Sequence, residues 1–219
     1  VATTGDLERD QEALAEVVAE ALADGAFVIV LGGGHETGYA HFLGHARRGD
    51  AVEILNVDAH TDVRPLKEGL GHSGSPFRQA LLHPSRLARR YHVVSLEASS
   101  VAAAHADFVA QQGGRVLWRD RIDDDSWSSF LHGIDGPALA SFDMDAVAAG
   151  HAPGVSAPAV AGLDVVRWLH AAHHVGATPA FRSFDLSEVN PAQDVDGRTC
   201  RLAALTIWTV LRGLAARPA

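Results

Sequence analysis

The sequence predicts an α/β protein, a three-layer α-β-α arrangement around a mainly parallel sheet. Apolar runs of strand length alternate about six times with longer stretches of helical periodicity, the signature of repeated strand–helix units. Phe27–Leu31 is apolar without interruption, as in strands covered on both faces. The polar clusters follow the strands directly, where open α/β sheets place their sites. Right-handed crossovers would put helices on both faces of that sheet.

Taken in order, the chain opens with an amphipathic helix over Asp6–Ala23, carrying Leu7, Leu14, Val17, Val18, Ala21 and Leu22 and closed by Asp24-Gly25. A strand over Phe27–Leu31 runs into Gly32-Gly33-Gly34-His35-Glu36, and a helix follows over Thr37–Arg48. Ala51–Val57, broken only by Glu53, predicts a strand ending in the loop Asp58–Arg64. A Gly/Ser-rich segment, Gly69–Ser75, leads through Pro76 into a helix expected to reach Arg90. Tyr91–Leu96 reads as a strand, Ser99–Gln111 as a helix, Arg115–Trp118 as a short strand and Ser126–His132 as a helical turn or two. Pro137–Phe142 is a strand ending in Asp143-Met144-Asp145, followed by an Ala/Gly/Pro loop over Ala148–Ala161. A helix over Gly162–Val175, a strand over Thr178–Phe184 ending in Asp185, and a last helix over Arg198–Arg212 complete the pattern. No linker, repeat or low-complexity tract divides it, so residues 1–219 read as a single domain.

Composition narrows the function. In 219 residues, 47% hydrophobic and 21% charged, there is enough apolar material for a real core. A formal charge of −9 disfavours nucleic acid or an anionic membrane as partner. Thirteen histidines favour metal or general-base chemistry. Cys200 is the only cysteine, which excludes an intrachain disulfide and fits a reducing compartment. Val1–Asp10 has no signal-peptide pattern, and no apolar run approaches membrane-spanning length, so a cytoplasmic protein is expected.

The chemistry concentrates in three segments that follow strands: His35, then Asp58/His60/Asp62, then Asp143/Asp145. In extended backbone, residues at i, i+2 and i+4 face one way, so each set would converge on one volume. Carboxylates crowded together repel and are costly to bury unless a cation lies between them. Four carboxylates and two imidazoles without a thiolate suit Mn²⁺ better than structural zinc. Six such side chains exceed the needs of one ion, whereas two ions about 3.5–4 Å apart with shared carboxylates would use them all. Plainer readings stand beside this one. The three glycines could serve a tight turn or cradle a phosphate, although no Lys-Ser/Thr follows them as in a P-loop. Asp143 and Asp145 could cap a turn, and Asp123-Asp124-Asp125 is most simply a solvated run capping the helix after it. His173-His174, with His170 one turn earlier, falls on a helix surface.

Gly32-Gly33-Gly34-His35-Glu36, Asn56-Val57-Asp58-Ala59-His60-Thr61-Asp62 and Ser141-Phe142-Asp143-Met144-Asp145 resemble the signature segments of the ureohydrolase (arginase/agmatinase) superfamily. The likeness runs from about Val28 to Arg212. Within the superfamily the chain is most similar to the formimidoylglutamase branch, through Asp62-Val63-Arg64, Ser73–Gln79, Ala152–Pro158 and Asp185–Pro191 continuing through Asp196–Thr199. Arginases and agmatinases usually carry His-Gly where this chain has Ser73-Gly74, and serine there is typical of the formimidoylglutamases. Members normally begin with a further segment holding an early strand; this chain starts at the helix before Phe27, so either that segment lies outside this sequence or the sheet is short of one or two strands.

The resemblance implies an arginase-like fold and two Mn²⁺ ions held by His35, Asp58, His60, Asp62, Asp143 and Asp145. It also implies hydrolysis of the formimino C–N bond of N-formimidoyl-L-glutamate to L-glutamate and formamide, with metal-activated water as nucleophile. Asp62 would help hold that water, and Glu188 would orient the cationic amidine. Arg64 and Arg78 are the arginines available to a substrate carboxylate, with Ser73 beside them; for either arginine the plain alternative is a surface or ion-pair residue. A small-molecule amidine is therefore the expected partner, and a homotrimer or hexamer the assembly implied by likeness. Two other functions stay open: a sister activity on agmatine, guanidinobutyrate or arginine, and a catalytically silent metal-binding homologue.

Overall fold

The computed structural model describes residues 1–218. Its six strands form one parallel sheet: β1 (Val28–Leu31), β2 (Val52–Val57), β3 (Ala88–Leu96), β4 (Arg115–Trp118), β5 (Ala138–Asp143) and β6 (Phe181–Ser187), in spatial order β1-β6-β5-β2-β3-β4. The helices are α1 (Leu7–Ala23), α2 (Thr37–Arg47), α3 (Pro76–Leu82), α4 (Ala103–Gln111), α5 (Asp124–His132), α6 (Val165–Ala177) and α7 (Arg198–Ala215). α1–α4 cover one face of the sheet and α5–α7 the other, which is the predicted three-layer α/β architecture. The chain steps outward from β2 to β3 and β4, then returns to place β5 between β2 and β6. That reversal puts the carboxyl ends of β2 and β5 side by side, with Val57 level with Phe142.

The boundaries follow local chemistry. Asp6 caps α1 by accepting from Arg9 N, Asp123 and Ser126 form a capping box on α5, and Asp164 caps α6 by accepting from Arg167 N. α3 ends at Leu82, not at the expected Arg90, because His83 precedes Pro84 and is driven to extended backbone (φ −61°, ψ 135°). The freed residues lengthen β3, which begins at Ala88. α6 starts at Val165, three residues past the expected Gly162, where Asp164 supplies the cap. β6 continues past Phe184 to Ser187, so Asp185 lies inside a buried strand and not at its end.

The expectation of a β1 covered on both faces is corrected. Only β6 pairs with it among the described residues, and Leu31 is 66% exposed. A short apolar run carries no record of whether its strand is central or at an edge. The main core lies under α5–α7, where Phe142 meets Trp168 and Phe184 edge-on at ring centroid distances of 4.9 and 5.0 Å. The Trp168 indole donates to Thr206 Oγ1 at 2.7 Å and joins α6 to α7. The two helices come within backbone contact: a Cβ on Gly176 would sit 2.1 Å from the Val210 carbonyl oxygen, and one on Gly213 would sit 2.5 Å from that of His173. Gly176→Ala is expected to lower unfolding stability by about 1–3 kcal/mol, the usual penalty for overpacking. Gly150→Ala, where a Cβ meets nothing within 4 Å, should be nearly silent. Urea denaturation of both variants checks this, and equal midpoints would refute the close helix contact.

Candidate metal centre and pocket

Three loops at the carboxyl edge of the sheet bring the predicted residues together. Asp58 follows β2, Asp143 closes β5 beside it, and His35 follows β1. Alternation of an extended backbone is not what makes them converge. Asp58 Oδ1 accepts from His60 N at 2.6 Å, and Asp143 Oδ1 accepts from Asp145 N at 2.8 Å. Each aspartate thus folds the chain after it into a tight turn that aims residue i+2 inward. Asp62 turns in through a left-handed backbone, φ 45°. Tyr91 fixes this loop, its hydroxyl donating to the Thr61 carbonyl at 2.8 Å and accepting from Asn56 Nδ2 at 2.8 Å. The Asn56 amide also donates to Asp58 Oδ2 at 2.9 Å.

Two groups result, and they share Asp58. His35 Nδ1 lies 3.3 Å from Asp58 Oδ2, 2.8 Å from Asp62 Oδ2 and 3.2 Å from Asp143 Oδ2. On the other side, His60 Nδ1 lies 3.4 Å from Asp58 Oδ1 and 3.1 Å from Asp145 Oδ2. Each group can bring its ligand atoms close enough together to hold one metal ion. All four aspartates and His35 are buried, and among the described residues none of the four carboxylates pairs with a lysine or arginine.

Burial and the crowding of charged groups shift the titrations here. Burial raises Asp143 well above the carboxylate range, helped by the charges of Asp145 and Asp58. Burial and the Asp58 charge push Asp62 up to about 7, and burial also raises Asp145. Asp58 goes the other way: despite burial, the close approach and charges of the His35 and His60 imidazoles hold it low. Hydrogen bonds to Asp145 and Asp58 lift His60 to about 11. Burial pulls His35 down, but the three carboxylates at its Nδ1 outweigh this and leave it well above the usual imidazole range.

The donor set fits divalent ions. His35 Nδ1 is surrounded by three carboxylate oxygens yet makes a well-formed hydrogen bond to none, and Asp145 Oδ1 is likewise buried without a partner. A proton satisfies one direction at a time, whereas a cation accepts several oxygens and a nitrogen at once.

Above this cluster a pocket of about 210 Å³ is lined by His60, Asp62, Arg64, Ser73, Gly74, Asp143, Asp145, Ser156, Ala157 and Glu188. Glu188 also has a left-handed backbone (φ 68°), and its amide donates to the Gly33 carbonyl at 2.8 Å. Its carboxylate accepts from His35 N at 2.9 Å and from Ser156 Oγ at 3.0 Å, so it is braced at the pocket wall. Arg64 and Ser73 line the pocket, but Arg78 does not: its guanidinium donates to the Val63 carbonyl at 3.1 Å and lies 4.3 Å over the Phe108 ring. Ser156 was not singled out by the sequence, because a serine in an Ala/Gly/Pro loop has no periodicity to betray its direction.

Fold and site together define an α/β protein with an acidic–imidazole cluster able to bind metal at the carboxyl edge of a parallel sheet. Residues 1–212 match the arginase family, and the chain belongs to it. Among curated relatives, the formimidoylglutamase of Nocardia farcinica is 39% identical over 94% of this chain and 68% of its own length. That of Chromobacterium violaceum is 33% identical over 96% of this chain and 71% of its own. The crystal structure of Trypanosoma cruzi formiminoglutamase with Mn²⁺ superposes with a TM-score of 0.92 at 32% identity, covering 99% of this chain and 74% of that one.

The raised groups give a pH dependence with a definite sign. His60, lifted from 6.5 to about 11, stabilises the metal-free fold fully below pH 6.5 and loses that contribution as pH rises toward 11. Asp62, lifted from 3.8 to about 7, favours the fold while protonated and loses its contribution as pH rises to about 7. In the presence of a chelator the melting temperature should therefore fall as pH rises above 6.5, and Mn²⁺ should flatten the slope. A calorimetric profile that is flat or rising without metal would contradict this reading.

Proposed function

We propose that this chain is a formimidoylglutamase: it hydrolyses N-formimidoyl-L-glutamate to L-glutamate and formamide with two Mn²⁺ ions, residues 1–219 acting as one catalytic domain. One observation carries the reading, the two ligand groups joined through Asp58, and the names of the relatives at 33–39% identity support it. His35, Asp58, Asp62 and Asp143 would hold one ion, and Asp58, His60 and Asp145 the other. When bound, such ions act as Lewis acids and bring the pKa of water toward neutrality.

The chain's own groups supply position and charge. The amidine is cationic, and Glu188, fixed by the His35 amide and Ser156, would pair with it at the pocket wall. Asp62 lines the same pocket and would help hold the attacking water. The glutamate carboxylates of the substrate need a cation, which Arg64 provides with Ser73 beside it, whereas Arg78 is already engaged. Agmatine has no carboxylate and would gain nothing from Arg64. A cytoplasmic homo-oligomer, trimer or hexamer, belongs to the same reading; on α7, Leu205, Trp208 and Leu211 are exposed apolar side chains available for such contacts.

Asp143→Ala is expected to lose manganese and turnover together; full metal content with full activity would eliminate the scheme. Glu188→Gln should lower kcat/KM by about 10–100-fold, the worth of a charge-assisted hydrogen bond of about 1.5–3 kcal/mol. Assays of N-formimidoyl-L-glutamate against agmatine and arginine decide the substrate. Arg64→Met should raise KM only for the first, and a wild-type preference for agmatine would discard both Arg64 and the assignment.

A further inference from the structure

Behind His35, on the side away from the pocket, a file of polar side chains crosses the core between α2 and strands β5 and β6. His35 Nε2 is 2.8 Å from Ser141 Oγ, and the Ser141 hydroxyl donates to Asp185 Oδ1 at 2.7 Å. Asp185 Oδ2 is 2.6 Å from His41 Nδ1. Ser183 Oγ then lies between His41 Nε2 at 2.6 Å and His45 Nε2 at 2.7 Å. Every member is buried, and Asp185 is 0% exposed. Asp185 touches neither the pocket nor any of the six candidate ligands directly. A buried carboxylate with two serines and two histidines is costly to keep where apolar side chains would pack as well.

We propose that Asp185, braced by His41, is a positioning residue that fixes the tautomer of His35 for metal binding; this rests on the manganese reading above. A carboxylate in its ionised form can only accept hydrogen bonds, so His41 Nδ1, Ser187 Oγ at 3.4 Å and Ser141 Oγ all donate to Asp185. The Ser141 hydroxyl has one proton, and once it is given to Asp185, Ser141 Oγ must accept from His35 Nε2–H. The lone pair of the ring then falls on Nδ1, the atom facing Asp58, Asp62 and Asp143. His41 closes the other side through its Nδ1–H. A neutral His41 with its proton on Nδ1 presents the Nε2 lone pair to the Ser183 hydroxyl, whose oxygen can then accept from His45 Nε2–H. The polarity of the whole file is thereby set from Asp185 outward. Groups that orient a ligating histidine in this way typically change metal affinity by about 10–100-fold when removed.

Asp185→Asn tests this with almost no change of shape. An asparagine NH₂ can donate to Ser141, which would then donate to His35 Nε2 and force the ring proton onto Nδ1. Electron paramagnetic resonance of free Mn²⁺ during titration should show one of the two ions weakened about 10–100-fold and the other nearly unchanged. Ser141→Ala, which removes the acceptor, should weaken the same ion and decides the matter if Asp185→Asn does not fold. In protein loaded with diamagnetic Zn²⁺, nitrogen-15 NMR should find the His35 proton on Nε2 in the wild type and lose that signal in Asp185→Asn. Variants that bind both ions as a two-ion wild type does, or that weaken both ions equally, would overturn this assignment alone. A wild-type chain that takes up no Mn²⁺ would sink the manganese reading and this assignment with it.

Discussion

Mutual repulsion among four buried carboxylates, Asp58 and the three around it, is the constraint on which the rest of this structure depends. Asp58 shares one oxygen with each of two imidazole-containing groups, so neither half of the cluster can relax without disturbing the other. Its partners come from the ends of β1, β2 and β5, strands fixed by a continuous parallel ladder. The backbone cannot spread to relieve the charge, and the titration shifts are the consequence.

The cluster has two differently built sides. Toward solvent lies the pocket, with Glu188 and Asp62 both held in left-handed backbone, a conformation non-glycine residues keep only when their surroundings enforce it. For Glu188 the enforcement is visible: its amide is tied to Gly33 and its carboxylate to His35 N and Ser156. Toward the core lies the file through Ser141, Asp185 and His41, wholly buried and closely hydrogen bonded. The pocket-lining groups therefore sit mainly on loops, while the groups behind His35 sit on a helix and two central strands, where side-chain positions are least free to drift.

Much of this was legible in the residues. The strand–helix alternation gave the architecture, and the polar residues after each strand marked the sheet edge that carries the cluster. The internal file also left a trace: Ser141/Asp143 in β5 and Ser183/Asp185/Ser187 in β6 place polar residues at alternate positions of their strands, and His41 and His45 share a helix face. Other features had no trace. Whether β1 was central or at an edge, and whether Arg64 or Arg78 faced the pocket, depended on partners far away in the chain.

The sequence by itself determined which groups would be present and at which strand ends, because hydrophobic periodicity is local and carboxylates after apolar runs can be read in one dimension. Only the tertiary structure decided how they converge. Asp58 and Asp143 cap the amides two residues on, Asp62 turns back through a left-handed backbone, and Arg78 is taken up by Val63 and Phe108. These outcomes are set by contacts among residues from separate strands and loops, and no local pattern encodes a distance between them.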